Sequence, residues 1–156
     1  MGHGFNYLVA NSETAPATTL LDRYYCKKSQ TEFVYGQANG AIAIYDGVKI
    51  DNDGQLIKID TTLSASEPSA VGFAQVAVAD NEHAWVAVKG GGSGKGIKAN
   101  VAASITAGAK MTTTGTAGAI GAGGDLIQGL STVTTTTDAA AVEIYMPIEP
   151  VTNAQD

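Results

Sequence analysis

The residues whose types and spacing could do chemistry here are a glycine-rich run holding a lysine, a cluster of Asp, Asn and Gly, and one thiol with two imidazoles. The run Gly91-Gly92-Ser93-Gly94-Lys95-Gly96 suggests a phosphate cradle. Such a cradle requires Gly, four residues, then Gly-Lys followed by Ser or Thr, whose hydroxyl reaches magnesium. Gly96 stands in the hydroxyl position and Lys89 where the first glycine belongs. Gly94, Gly96 and Ala99 fit the spacing of a dinucleotide-binding turn, but that turn must open a helix, and residues 97–101 read as a strand. The run is expected to be a flexible hairpin or surface loop.

Asp51-Asn52-Asp53-Gly54 opens like a calcium loop. Its glycine comes too early, and Thr62 stands where a bidentate glutamate should close the site. A turn accounts for all four residues, because Asn, Asp and Gly tolerate positive φ. For nucleophilic catalysis, Cys26 and His83 form the one possible thiol–imidazole pair, since His3 lies near the N-terminus. A hydrolase needs nucleophile, base and orienting group converging in one pocket, and no spacing here brings them together. Cys26 on an alternating strand reads as a small buried hydrophobe. His83 reads as a solvated or hydrogen-bonded strand residue, and Asp80, Glu82 and Asp125 as solvated acids at turns. No catalytic, cofactor-binding or metal-ligating residue is assigned, and a non-enzymatic protein without cofactors is expected.

The elements that would position these residues have a period of two. Residues 24–28 alternate, residues 33–35 follow a polar gap, and residues 41–45 read as a short buried strand bounded by Gly40 and the Asp46-Gly47 turn signal. Residues 48–51 and 55–59 flank Asn52-Asp53-Gly54 as a tight hairpin. Residues 71–79 and 83–88 flank Asp80-Asn81-Glu82 as a second hairpin, whose Phe73 and Trp85 should centre the core. Further strands are expected at 97–101, 110–113, 126–135 and 141–146, with Pro147 and Pro150 stopping the pairing. Short strands with glycine-rich turns predict an all-β fold, a small antiparallel β-barrel or sandwich spanning residues 20–150. Residues 151–156 are expected to form a flexible C-terminal tail.

Residues 1–19 are polar and small apart from an apolar knot at Phe5, Tyr7, Leu8 and Val9. They read either as a frayed terminus or as an extended arm that orders on a neighbour, with Phe5, Tyr7 and Val9 as alternate-side anchors. Of the 156 residues 44% are hydrophobic, but only 6% are aromatic and much of the rest is alanine, so the core is thin and association is expected. The net charge of -6 and nine scattered basic residues argue against a nucleic-acid partner. No apolar run approaches the roughly 20 residues that cross a bilayer, and the first residues lack the pattern of a signal peptide. The threonines at 112–114 and 132–137 are expected to give a hydroxylated, uncharged face suited to a close-packed interface or an exposed sheet.

One succession of features goes beyond composition. Residues 71–75 (VGFAQ) lead to 78–90 (VADNEHAWVAVKG), then 97–101 (IKANV), 105–111 (ITAGAKM) and 114–118 (TGTAG). Gly129-Leu130, a threonine-rich turn and 141–146 (AVEIYM) follow. This order, over roughly residues 70–146, resembles the small head decoration ("cement") proteins of tailed bacteriophages. The resemblance implies a β-barrel-like module without catalytic residues. It would be made in the host cytoplasm and dock on the outer surface of the capsid, with the major capsid protein as partner. It also implies a homo-oligomer, a trimer being favoured and a dimer possible. The apolar residues Phe5, Tyr7, Leu8 and Val9 would then contact capsid or a sister subunit. Two rivals share the β-rich pattern: a receptor-binding or fibre-knob domain of a virion, and a cell-wall-degrading or carbohydrate-binding enzyme domain. The last predicts a pocket lined with acids or exposed aromatics.

Overall fold

The computed structural model describes residues 12–61 and 69–152. Phe5, Tyr7, Leu8 and Val9 therefore lie outside the described residues, as does Thr62. Thirteen strands form the fold, and no helix occurs among the described residues. The first six are β1 (Arg23–Cys26), β2 (Thr31–Ala38), β3 (Gly47–Ile50), β4 (Gln55–Lys58), β5 (Ala70–Ala74) and β6 (His83–Gly91). The rest are β7 (Lys98–Val101), β8 (Met111–Thr113), β9 (Ile120–Gly121), β10 (Leu126–Gln128), β11 (Ser131–Thr132), β12 (Ala140–Met146) and β13 (Val151–Thr152).

Their pairing closes the all-β sheet on itself twice. One circuit runs β5–β13–β10–β8–β9–β7–β12–β6 and back to β5. A smaller circuit runs β2–β4–β3–β5–β6 and back to β2. The circuits share the β5–β6 pair, so their strands are buried on both faces. Period-two alternation then divides the core in two. Phe33, Tyr35, Val71, Phe73, Trp85 and Ala87 point into the larger cluster, whereas Val34, Ala74, Ala84, Val86 and Val88 point into the smaller. Phe73 and Trp85 do sit in the main core, and Cys26 is buried beside them.

The smaller circuit is tight. A Cβ on Gly36 would lie 2.5 Å from Leu56 Cδ2 and 2.8 Å from the Gly54 carbonyl oxygen, so the absence of a side chain lets β2 approach β4.

Several details depart from the sequence reading. Residues 41–45 are not a strand; only Ile42 pairs, in an isolated bridge to Val78. The Asp46 carboxylate accepts the Ala43 N–H at 2.9 Å, the Asp46 N–H returns to the Ala43 carbonyl, and Tyr45 takes φ of 69°. This aspartate-capped turn outcompetes the alternation. β5 ends at Ala74, and residues 75–82 form a loop with Asn81 at φ of 65°. Pairing is mostly antiparallel, yet β2–β4 and β7–β9 are parallel. Pro147 does end β12, but the chain re-enters the sheet after Pro150, and Val151 and Thr152 pair with β5 and β10.

The segment leading into β1 is held to the domain. Glu13 bridges His83, Tyr35 Oη donates to Glu13 Oε2 at 2.8 Å, and the Ala17 N–H donates to Tyr35 Oη at 2.9 Å. Burial, followed by the Glu13 carboxylate, raises the Tyr35 phenol above its ordinary pKa, while the Ala17 N–H opposes them.

Candidate functional site

Among the described residues, those singled out by their chemistry mostly serve the fold. The glycine-rich run connects β6 to β7, and its amides already hold an anion supplied by the chain. Gly94 N–H donates to Glu143 Oε2 at 3.0 Å and Gly96 N–H donates to Oε1 at 2.8 Å. These two amides lower the Glu143 pKa below the usual glutamate range, assisted by Lys98. The loop that resembles a phosphate cradle is thus a clasp between β12 and the β6–β7 connection.

Asp51 also serves its own turn. Its Oδ1 accepts the Asp53 and Gln55 N–H groups at 2.9 and 2.8 Å, which closes the β3–β4 hairpin. Among the described residues, no group of three or more His, Cys, Asp or Glu gathers as a metal site would require. Asp80 and Glu82, read from sequence as merely solvated, accept the N–H groups of Gly40 and Ala79. His83 is buried rather than solvated; its ring stacks on Tyr35 with centroids 6.0 Å apart, and Nδ1 lies 3.3 Å from the Glu13 carbonyl. Cys26 lies on β1, and its burial fits the hydrophobic role. The threonines depart from a simple exposed face. Thr113, Thr132 and Thr136 are buried. Thr136 Oγ1 accepts the Ile105 N–H at 3.1 Å and donates to the Ala102 carbonyl at 2.9 Å, fastening two loops.

No protein-family model matches the sequence, and no curated protein is similar to it. The functional reading therefore rests on the molecule's surfaces, of which two stand out.

The first is a shallow hollow of about 550 Å³ beside the ends of β7 and β12. Alanines 102, 103, 139 and 140 with Thr114 and Thr116 make much of its lining. The buried Asp46 lies at its margin, where Asn100 Nδ2 donates to Asp46 Oδ1 at 2.9 Å and to the Ile44 carbonyl at 3.0 Å. Ile44 itself is 44% exposed.

The second is a groove of about 370 Å³ that crosses β1, β2, β6 and β12. Its residues come from sequence positions too far apart for any motif, and strand register assembles them: Tyr25 opposes Glu32, Glu32 opposes Lys89, and Gly91 opposes Tyr145. Arg23 joins Glu32 to Glu149 in a surface ion-pair network at one edge, and both carboxylates raise its pKa. Neither surface was legible as a site in the sequence.

Proposed function

We propose that this protein is a non-enzymatic structural component of a virus particle, a head decoration protein that binds the outer surface of a tailed-phage capsid and stabilises contacts between capsomers. The resemblance across residues 70–146 motivates this choice of family. The observation that carries the reading physically is the alanine- and threonine-lined hollow with exposed Ile44 beside it. Small uncharged side chains allow close approach of another surface without desolvating charge, and the apolar area offers a modest gain per contact. Symmetry then multiplies that modest contact, so that many copies resist internal pressure by avidity.

Several features support this kind of work over pocket chemistry. The glycine-run amides, the turn acids and the buried histidine all serve the fold. Strands β8, β9, β10, β11 and β13 have two or three residues each, so this side of the molecule depends on packing rather than on long ladders. A partner surface adds stability to such a construction by mass action. The major capsid protein is the proposed partner and a homotrimer the favoured assembly, with Phe5, Tyr7, Leu8 and Val9 proposed as additional contacts to capsid or sister subunit.

The test is decoration of undecorated phage heads by purified protein, read as bound copies per particle. Wild type is expected to saturate at a fixed ratio to the capsid protein. Ala103→Arg and Ala139→Arg, at exposed positions that leave the core intact, are expected to abolish binding. Removal of residues 1–11 is expected to lower occupancy. Saturation by both arginine variants at the wild-type ratio would refute the hollow as the docking face.

A further inference from the structure

We propose that the groove across β1, β2, β6 and β12 is a binding site for a neutral oligosaccharide. Its walls are two tyrosines that the fold leaves exposed, Tyr25 at 56% and Tyr145 at 47%. They stand on strands three ladder steps apart, about 14 Å between backbones at roughly 4.8 Å per step. Register puts Tyr25, Glu32 and Lys89 side by side, while Gly91, two residues beyond Lys89, opposes Tyr145. All five line the groove.

The floor between the walls is low and fixed. Gly90 and Gly91 contribute no side chain, and Thr31 Oγ1 locks the floor from below by accepting the Gly91 N–H at 3.3 Å and donating to the Ser29 carbonyl at 3.0 Å. The groove is thus formed before any ligand arrives, which limits the ordering cost of binding.

The lining chemistry selects the ligand class. Aromatic faces at both ends suit the apolar faces of pyranose rings, and Tyr combines such a face with a hydroxyl. Gln30, Glu32 and Lys89 offer amide, carboxylate and ammonium groups together, a mixed set of donors and acceptors that matches ring hydroxyls. Both charge signs occur in the same groove, so neither an anion nor a cation is favoured over a neutral ligand. An extended peptide fits less well. Strand addition needs a free ladder edge, and both floor strands are internal: β2 lies between β1 and β6, and β6 between β2 and β12.

This site shares no lining residue with the hollow proposed for capsid docking, and on that reading it would be repeated on every copy. The test is titration of ¹⁵N-labelled full-length protein with maltoheptaose, cellohexaose and chitohexaose in separate series, followed by amide shifts. At least one sugar is expected to give saturable shifts at Gly90, Gly91 and Tyr145. Tyr25→Ala and Tyr145→Ala are each expected to weaken binding at least tenfold, while Tyr25→Phe, which keeps the ring, stays within about threefold. Absence of saturable shifts with all three sugars would overturn the proposal, as would binding unchanged in both alanine variants. Sedimentation showing self-association that Tyr145→Ala abolishes would assign the groove to a second copy and also overturn it. Head occupancy is read independently, so failure here leaves the docking proposal standing.

Discussion

Gly90→Ala isolates what holds the groove floor in place. Gly90 lies on β6 where that strand passes the turn before β2, with φ of 105°. A Cβ there would lie 2.1 Å from the Gln30 carbonyl oxygen and 2.9 Å from Thr31 Cα, both backbone atoms that no side-chain rotation can clear. Left-handed backbone in an L-residue costs about 1–2 kcal/mol. Forcing an extra methyl into closed packing adds about 1–3 kcal/mol. The sum is about 2–5 kcal/mol, which for a domain of this size lowers Tm by roughly 4–20 °C. Gly94→Ala is the internal control: φ is 73°, but a Cβ there meets nothing within 4 Å, leaving only the backbone cost of about 1–2 kcal/mol. Urea unfolding followed by the emission of Trp85, the single tryptophan, measures both, because its side chain is buried in the native core. Equal destabilisation by the two variants, or a Gly90→Ala loss under about 1 kcal/mol, would refute the steric argument.

Three further outcomes are expected. The lowered pKa of Glu143 means that its clasp is present at neutral pH, persists through the ordinary glutamate range near 4.3, and is lost as pH falls through its lower folded value. The ¹⁵N shifts of Gly94 and Gly96 should titrate with a midpoint below that range, and Glu143→Gln should remove the transition; a midpoint at or above it would contradict the clasp. Tyr35→Phe removes the hydroxyl that ties Glu13 and Ala17 to β2, and should cost about 1–2 kcal/mol while raising amide exchange across residues 12–17 but not in β5. Asp46→Ala leaves the Ala43 N–H and Asn100 amide without their buried acceptor and should cost about 2–3 kcal/mol, read by the same urea titration.

What the sequence disclosed and what it hid follow from the range of the interactions. Local turn chemistry was legible: Asn52-Asp53-Gly54 closes the β3–β4 hairpin, and Asp80-Asn81-Glu82 precedes β6. Large apolar residues on alternating strands were legible too, since Phe73 and Trp85 bury themselves wherever the sheet closes. The turn at residues 43–46 was not, because it depends on one carboxylate outcompeting a five-residue apolar run. The order of the strands around the barrel was hidden for another reason. Parallel pairing of β2 with β4 and of β7 with β9 requires crossovers that no periodicity encodes. The groove was hidden most completely, since its tyrosines lie at positions 25 and 145, and only strand register brings them to one groove. The clasp between Glu143 and the glycine run joins residues 49 and 47 positions apart, which is why the run read from sequence as a free loop.

The role proposed for this chain is that of a repeated structural element on a capsid exterior. Quantitative gel or mass-spectrometric analysis of purified, DNA-filled particles tests it most directly, because it reports location and stoichiometry together. The expected result is the protein present in a fixed, lattice-determined ratio to the major capsid protein and removable by surface proteolysis. Its absence from particles, or its presence only at the low copy number of a tail or fibre component, would contradict the claim.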